Sequence, residues 1–357
     1  MLEKKDRKKI LVGISGGVDS AVTLALLKAN GYHVEAAFLL LSEKQDKANK
    51  SLADAKEICK ILNVPLKIID AKLKFRKKVI KYFLDEYSKG RTPNPCIFCN
   101  EHIKFKLLLK AAKELKIDYI ATGHYAKIKR INKKGKLRYG LFQAKDEKKD
   151  QSYFLYRLKQ EQLAKILLPL GDYTKEKIRE LAKNFNLPVF NKEESQDVCF
   201  MDDNDLEEFL AKNVQLKKGK IMNTEGVVIG EHRGLLLYTN GQRKGINIGG
   251  SGPYFVVNKN LKKNTLIVTN NSIHEALSKT KINLKQISWI DDCPKLPLTV
   301  LVRIRYHSFL EYAIIKINKT GKNYMLEFKK PQRAVSQGQS AVFYDKNGEI
   351  LGGGIIR

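Results

Sequence analysis

Short β-rich runs alternate with helical patterns from residue 8 to about residue 200, and this alternation is the strongest constraint on the fold. Each run is about the length of one strand, and longer segments with helical periodicity separate them; examples are "KILVGI", "VEAAFLLL", "PLKIID" and "IDYIAT". Strands that alternate with helices form parallel sheets with helices on both faces. We therefore predict a doubly wound α/β domain over residues 1–205.

The pattern changes after the acidic stretch "DDNDLEEFLAKN". Strands broken by turn signals follow, among them Asn223-Thr224-Glu225-Gly226 and Asn240-Gly241. These features predict a small β-rich central domain over residues 206–279.

The last part of the chain alternates apolar and polar residues in "TVLVRIRYHS", "YAIIKIN", "YMLEFKK" and "SAVFYDKNGEILGGGII". Thr320-Gly321 and Asn347-Gly348 are hairpin signals between these runs. A compact C-terminal β-barrel over residues 280–357 fits this pattern best.

The charge is strongly unbalanced, with 67 Lys and Arg against 38 Asp and Glu, a formal net charge of +29. Such an excess favours a polyanionic partner, although a genome that favours lysine codons is an alternative explanation, and charge does not separate RNA from DNA. The sequence has no apolar stretch of about 20 residues and no signal-peptide pattern. We expect a cytoplasmic protein without membrane contact.

The stretch "GISGGVDSAV" leads from the first strand into the first helix. Gly16 and Gly17 allow backbone N–H groups to approach a ligand closely, while Ser15, Ser20 and the helix N-terminus offer further donors to anionic oxygens. These features indicate a phosphate cradle without the Walker ending. Asp19 is interpreted as a helix-capping carboxylate, as a Mg²⁺ anchor, or as both.

Five cysteines make disulfide stapling improbable in a reducing compartment and favour metal binding or reactivity. Cys96 and Cys99 lie in a predicted proline-constrained loop before a basic helix, where exposure and positive charge favour a lowered thiol pKa. Cys199 follows Ser195, Gln196 and Asp197 in "SQDVCF", and two remaining cysteines are interpreted as packing residues, namely Cys59 and Cys293.

The motif "SGGVDS" resembles the loop of the ATP pyrophosphatases, which cleave ATP to AMP and pyrophosphate while they adenylate a substrate oxygen. Together with "GRTPNPCIFCNEHIKF", "ATGHYAKI", "KDQSYFLYRL" and "SQDVCF", the chain is similar to the family of bacterial tRNA-specific 2-thiouridylases. The resemblance covers nearly the full length, including the C-terminal "RIRYHS", "QRAVSQGQSAVFY" and "LGGGII".

The resemblance implies a role for each matching residue. Cys99 is then the catalytic nucleophile, and Cys199 carries the incoming sulfur as a persulfide. The residues implied to hold ATP are Gly13, Ile14, Ser15, Gly16, Gly17, Val18, Asp19, Ser20, Leu39 and Gly123. Those implied to line the target-base pocket are Asn94, Pro95 and Cys96, and those implied to contact tRNA are His124, Lys149, Asp150, Gln151, Arg305, Tyr306 and Gln339.

The reaction implied by the resemblance is ATP-dependent adenylation at C2 of wobble uridine-34, followed by sulfur transfer to give 2-thiouridine in the tRNAs for Lys, Glu and Gln. ATP and Mg²⁺ are the implied cofactors. Sulfur comes from a sulfur-carrier protein or a cysteine desulfurase, and a monomer is the simplest assembly. The implied transfer leaves a disulfide between Cys99 and Cys199, which an outside reductant must reduce before the next turnover.

One position departs from the family pattern, because many members carry aspartate where this chain has Cys96. Three thiols, from Cys96, Cys99 and Cys199, suit a [4Fe–4S] cluster with one open iron, and His102 adds a possible fourth ligand for zinc. Two further hypotheses stay open at this point: an ATP pyrophosphatase that amidates another acceptor, and a non-catalytic RNA-binding protein.

Overall fold

The computed structural model describes residues 8–41, 45–133, 135–193, 198–201, 206–246, 248–249, 253–317 and 323–357, with side chains left out at 45–47 and 133. Ser195, Gln196, Asp197 and the predicted Thr320-Gly321 turn lie outside the described residues.

The first part of the chain alternates strands and helices, as predicted. Its elements are β1 (Lys9–Ile14), α1 (Val18–Ala29), β2 (His33–Leu40), α2 (Gln45–Ile61), β3 (Leu66–Asp70), α3 (Lys72–Phe75), α4 (Lys81–Ser88), α5 (Pro95–Cys99), α6 (Phe105–Glu114), β4 (Tyr119–Thr122), β5 (Lys127–Lys133), β6 (Lys136–Phe142), α7 (Gln160–Leu163), β7 (Ile166–Leu167) and α8 (Lys175–Asn184).

Five of these strands form a parallel sheet in the order β3-β2-β1-β4-β7. In β1, Ile10 and Val12 face a core built with α1, α2 and α8, whereas Leu11 faces a core built with α6. Because successive side chains of a strand point to opposite faces, a nearly continuous apolar strand is buried on both sides. This arrangement confirms the doubly wound α/β prediction.

The central part begins with α9 (Leu206–Asn213) and continues with β8 (Gly219–Met222), β9 (Val228–His232), β10 (Phe255–Asn260) and β11 (Thr265–Thr269). The strands form one sheet in the order β10-β11-β8-β9. The predicted turn at Asn223–Gly226 joins β8 to β9, and its Gly226 has a φ of 86°. The Asn223 side-chain oxygen accepts from the Val227 N–H at 2.7 Å, which closes the turn.

The C-terminal part is a closed barrel, as predicted, with strands β12 (Ser278–Trp289), β13 (Leu298–Arg303), β14 (Glu311–Ile317), β15 (Tyr324–Arg333), β16 (Ser340–Tyr344) and β17 (Glu349–Ile356). The order β12-β15-β14-β13-β16-β17 closes through pairing of β12 with β17. The predicted Asn347-Gly348 signal lies in the turn between β16 and β17.

The hairpin β5–β6 extends the barrel sheet, although it belongs to the first part of the chain. Its Leu141 pairs with Ile350 of β17. Arg138 forms an ion pair with Glu349 across this junction, and both side chains are about nine-tenths buried. The sequence pattern did not reveal this connection. No helix in the described ranges is long and apolar enough to cross a membrane.

Candidate active site

The loop between β1 and α1 has only three residues, Ser15, Gly16 and Gly17, and it lies at the carboxyl edge of the parallel sheet. Gly16 has a φ of 72°, and a Cβ at this position would lie 2.3 Å from the Ser51 carbonyl oxygen. A glycine is therefore required by both backbone conformation and space. The Ser20 hydroxyl accepts from the Ser15 N–H at 3.1 Å and donates to the Gly17 carbonyl at 2.9 Å, which fixes the loop.

Gly123 lies directly against this loop. A Cβ there would be 2.8 Å from the Asp19 carbonyl carbon and 2.9 Å from the Ser20 nitrogen. The end of β4 therefore contacts the first turn of α1. Leu39, near the end of β2, is half-buried at the same edge of the sheet.

Asp19 is held by two side chains from distant parts of the chain. Its Oδ1 accepts from the Tyr125 hydroxyl at 2.7 Å and lies 2.6 Å from the Lys175 ammonium. Lys175 is buried and also lies over the Tyr125 ring, 5.7 Å from its centroid. The Asp19 side chain remains about one-third exposed, so a carboxylate oxygen is accessible beside a fixed cation.

Lys192 connects the loop to the segment that leads toward Cys199. Its ammonium donates to the Gly16 carbonyl at 2.9 Å and forms an ion pair with Asp54. This contact occupies the Gly16 carbonyl, and the Ser15 N–H is bonded to Ser20. The N–H groups of Gly16 and Gly17 and the positive end of α1 are therefore the groups suited to an anion.

The prediction of a loop around Cys96 and Cys99 is wrong, because both thiols lie in the helix α5. This helix continues through a wider π-type turn (Asn100–Lys104) into α6. Asn94 caps this helix, with its side-chain oxygen accepting from the Cys96 N–H at 3.1 Å. Pro95 follows at the first helical position, which suits its fixed φ. The cap and the proline explain why a helix begins here.

The prediction of exposed, acidic thiols is also wrong for Cys99, which is only 5% exposed. Desolvation by burial raises its pKa to about 12 and outweighs the opposing charge of Lys104. Cys199 reaches solvent, but desolvation raises its pKa to about 11, again against Lys104. Cys96 is exposed, as predicted, but desolvation raises its pKa too, so the prediction of a lowered thiol pKa is wrong for both cysteines of α5.

Cys199 is brought to the thiol helix by its neighbour Phe200. The Phe200 ring packs at 5.8 Å from Phe75 and 5.3 Å from Phe83, and it shares an apolar cluster with Cys99. Val198, on the other side of Cys199 in the chain, packs against the same cluster. Two thiols about a hundred residues apart in the chain are thus neighbours in the structure.

His124 follows Gly123 and links the loop to the thiols. Its Nδ1 lies 2.8 Å from the Thr122 hydroxyl, and its ring packs 5.5 Å from Phe105 of α6. Desolvation, together with the charge of Lys104, lowers the pKa of His124 to about 3, so the imidazole is neutral at physiological pH. Because Phe105 begins the helix that continues α5, His124 lies at the edge of the thiol region.

Asp150 is 1% exposed, and its carboxylate accepts hydrogen bonds from the chain itself. The donors include the backbone N–H groups of Ala144 and Ser152, each at 3.1 Å. This carboxylate therefore organises its own loop and is not presented for a direct tRNA contact. The Gln151 side chain accepts from the Tyr125 N–H at 3.1 Å, and Lys149 is half-buried beside it.

The remaining predicted tRNA positions lie on the barrel side of the site. Arg305 donates to the Asn240 carbonyl at 3.0 Å and to Ser336 Oγ at 2.6 Å, so it joins the central part to the barrel. Tyr306 packs 4.4 Å from Phe154. Gln339 donates to the Thr92 carbonyl at 2.8 Å, which ties the barrel to the segment just before Asn94.

Within the described ranges, no group of three or more His, Cys, Asp or Glu side chains is close enough to hold a metal ion. The three thiols and His102 are therefore not assembled as a metal site in this structure. Cys59 is buried, as predicted, whereas Cys293 is exposed and the packing interpretation is wrong for it.

Sequence reasoning missed Lys104, Tyr125, Lys175 and Lys192. Each acts through a partner that is distant in the chain, or through a helix whose path the pattern did not show. The sequence next to Lys175 indicates only that a helix begins there, because Thr174 caps α8 by accepting a hydrogen bond from the Lys177 N–H. Nothing local marks its ammonium as the partner of Asp19.

Three family models match successive parts of the chain. They are described as the tRNA methyl transferase HUP domain over residues 8–203, the tRNA methyl transferase PRC-barrel domain over 207–270 and the aminomethyltransferase beta-barrel domain over 279–356.

Curated relatives match over almost the whole length. The tRNA-specific 2-thiouridylase MnmA of Legionella pneumophila subsp. pneumophila is 42% identical, with 98% of each chain covered. The protein of the same name from Clostridioides difficile is 41% identical over 98% of each chain. That of Buchnera aphidicola is 41% identical over 99% of this chain and 98% of its own.

Among solved structures, the U34-tRNA thiolase NcsA from Methanococcus maripaludis with its [4Fe-4S] cluster is 21% identical over 58% of this chain and 68% of its own, with a TM-score of 0.35. That similarity is too low to bear on a cluster in this chain. The near full-length matches at about 40% identity confirm the expected family and enzyme class, and the chain belongs to the tRNA-specific 2-thiouridylases, tRNA sulfurtransferases of the ATP-pyrophosphatase type.

Proposed function

We propose that this site adenylates the C2 oxygen of wobble uridine-34 and replaces it with sulfur carried by Cys199. One observation carries the proposal: the anion-binding loop and two neighbouring thiols meet at the same edge of the sheet. Gly123 packs against the first turn of α1, and the ring of the adjacent His124 lies 5.5 Å from Phe105 at the start of α6, which continues the thiol helix α5.

ATP is proposed to bind with its phosphates over the N–H groups of Gly16 and Gly17 and the N-terminus of α1, since the Ser15 N–H is bonded to Ser20. Asp19 fits a Mg²⁺ ion, because a carboxylate oxygen remains accessible and Mg²⁺ is usually held by one or two carboxylates together with substrate phosphates. When bound, the ion would neutralise developing charge on the leaving pyrophosphate. Lys175 supplies a further positive charge at the same carboxylate and orients it.

The proposed sulfur transfer balances with two cysteines. The terminal sulfur of the Cys199 persulfide attacks C2, and AMP leaves with the former C2 oxygen. The Cys99 thiolate then attacks the Cys199 sulfur, which breaks the bond to the transferred sulfur, leaves it on C2 as the thiocarbonyl and forms a Cys99–Cys199 disulfide. An external thiol reductant must restore both thiols before the next turnover.

The raised pKa values of both thiols mean that they are mostly protonated in the free enzyme at neutral pH. Lys104 is the group that opposes desolvation at all three cysteines, so it is the local source of thiolate stabilisation.

Among the residues that the structure describes, no three His, Cys, Asp or Glu side chains converge on a single metal ion, and this includes Cys96, Cys99 and Cys199. We therefore derive no step through a cluster. Asn94, Pro95 and Cys96 are proposed to line the base pocket from the beginning of the thiol helix.

The substrate is proposed to be the anticodon loop of the tRNAs for Lys, Glu and Gln, in which an unpaired base is easily extruded into a pocket. His124, Lys149, Gln151, Tyr306 and Gln339 are proposed to contact it. Sulfur is proposed to come from a sulfur-carrier protein or a cysteine desulfurase, and the enzyme is proposed to act as a cytoplasmic monomer.

Replacement of Cys199 by alanine tests the proposal. The variant is expected to form no 2-thiouridine and to bind tRNA with nearly normal affinity, because Cys199 is not proposed to hold the RNA. Cys293→Ala is a matched control at an exposed cysteine outside the site. Normal thiolation by Cys199→Ala would show that the sulfur does not pass through this residue.

A further inference from the structure

A stripe of four lysines runs along the outer face of the helix that supports both thiol elements. Residues 72–88 form one continuous helical stretch, with a π-type turn at Arg76–Ile80. Its lysines at 74, 77, 78 and 81 are all exposed. We define the lysine stripe as Lys74, Lys77, Lys78 and Lys81.

The opposite face of the same helix is anchored at the active site. Phe75 and Phe83 pack against Phe200, the neighbour of Cys199. Tyr82 stacks on Phe98, which lies between the two cysteines of α5, at 4.3 Å and 9°. The stripe is therefore held rigidly beside both thiol-bearing elements.

Little negative charge compensates the stripe. Lys81 pairs with Asp85 at 3.2 Å, an exposed pair of small energetic weight. Among the described residues, none of the other three members has an ion pair within 4.0 Å. A concentration of cations of this kind attracts a polyanion and releases its counterions on binding.

The composition of the stripe favours nucleic acid over an acidic protein. Stable protein interfaces usually have an apolar centre. The large exposed apolar side chain on this helix is Leu73, which is 62% exposed and lies beside the stripe and not within it. Phosphate backbones need only cations at suitable spacing. We propose that the lysine stripe binds the phosphate backbone of the substrate tRNA next to the extruded wobble base, an inference that rests on the proposed function.

The test compares two triple variants that remove the same charge. Lys74→Gln/Lys77→Gln/Lys78→Gln removes the unpaired part of the stripe. Lys56→Gln/Lys60→Gln/Lys113→Gln removes three exposed lysines from α2 and α6 near their C-terminal ends, which face the opposite edge of the sheet. The dissociation constant of an anticodon stem-loop RNA is measured for both variants and the wild type at several salt concentrations.

The stripe variant is expected to reduce the slope of log K against log salt by about 2, since each phosphate contact contributes roughly 0.7 to 0.9. Its RNA affinity is expected to fall on the order of tenfold at about 0.15 M salt. ATP binding and the thiolation rate at saturating RNA are expected to stay at the wild-type level. The control variant is expected to keep most of the wild-type slope.

Equal slopes and affinities for the two variants would overturn the proposal. So would unchanged RNA binding combined with slower sulfur loading from a protein donor, because the stripe would then serve that donor. Failure of the wild type itself to bind or thiolate the RNA would contradict the proposed function instead, so the two failures are distinguishable.

Discussion

The ammonium of Lys175 lies 2.6 Å from Oδ1 of Asp19, although 156 residues separate them in the chain. This ion pair joins the first residue of α8 to the first turn of α1. It places a buried cation at the carboxylate that follows the glycine loop. The pair therefore couples the stability of the fold to the charge of the nucleotide site.

Asp19→Asn is expected to lower the free energy of unfolding by about 1–3 kcal/mol, because it leaves the buried Lys175 without its counter-charge. Adding Lys175→Met to Asp19→Asn should recover part of this stability without restoring thiolation. Chemical denaturation and a thiolation assay measure both effects. Lys177→Met is the control, since Lys177 is exposed on the same helix; a stability of Asp19→Asn equal to that of the control would contradict the coupling.

Gly16→Ala is expected to destabilise the protein by at least about 1–2 kcal/mol and to weaken ATP binding strongly. The positive φ disfavours alanine, and the new Cβ would clash with the Ser51 carbonyl. Gly17→Ala is a close control, because Gly17 has an extended backbone and its nearest contact would be at 3.5 Å. Thermal unfolding and ATP-binding titration distinguish the two variants, and equal behaviour would argue against the packed loop.

His124 is expected to make stability depend on pH below neutrality. Its pKa is about 3 in the folded chain against 6.5 ordinarily, so the unfolded chain binds more protons between these values. Stability should therefore rise with pH across this window. At pH 5, His124 alone lowers the free energy of unfolding by about 2 kcal/mol relative to its value above pH 7.

His124→Gln should flatten that part of the stability curve, measured by denaturant unfolding at pH 4.5 to 7. The control is His33→Gln, the same substitution at an exposed histidine outside the site, and its slope is compared with that of His124→Gln. An unaltered slope in His124→Gln would show that the imidazole is not held neutral by burial.

Thiol labelling should follow accessibility. A maleimide at pH 7.5 is expected to modify Cys293 and Cys199 before Cys99, because Cys99 is 5% exposed and its pKa is raised to about 12. Peptide mass spectrometry over a time course gives the order. Labelling of Cys99 as fast as Cys293 would contradict the burial of this thiol.

The sequence was sufficient for the fold class because the relevant signals are local. Nearly continuous apolar strands, a glycine loop before a helix, and turns such as Asn223–Gly226 are visible in short windows. The joining of β5–β6 to the barrel was not predictable, since it depends on pairing Leu141 with Ile350 across more than two hundred residues.

The glycine loop and the thiols could be proposed as site residues from the sequence, whereas their surroundings could not. The pattern around Cys99 suggested exposure, but burial depends on aromatic rings supplied by residues 75, 83 and 200. In the same way, the buried position of Asp150 follows from backbone donors that no motif marks. Local chemistry predicts which groups can react, whereas tertiary packing sets their exposure and pKa.

The most direct measurement of the central claim is a single turnover with labelled sulfur. Metal-free enzyme carrying a ³⁵S persulfide on Cys199 is mixed with tRNA and MgATP without reductant, and the RNA and the protein are analysed together. We expect one ³⁵S in 2-thiouridine, one AMP and one Cys99–Cys199 disulfide per active chain. Transfer of sulfur without that disulfide, or no transfer until iron and sulfide are supplied, would contradict the central claim.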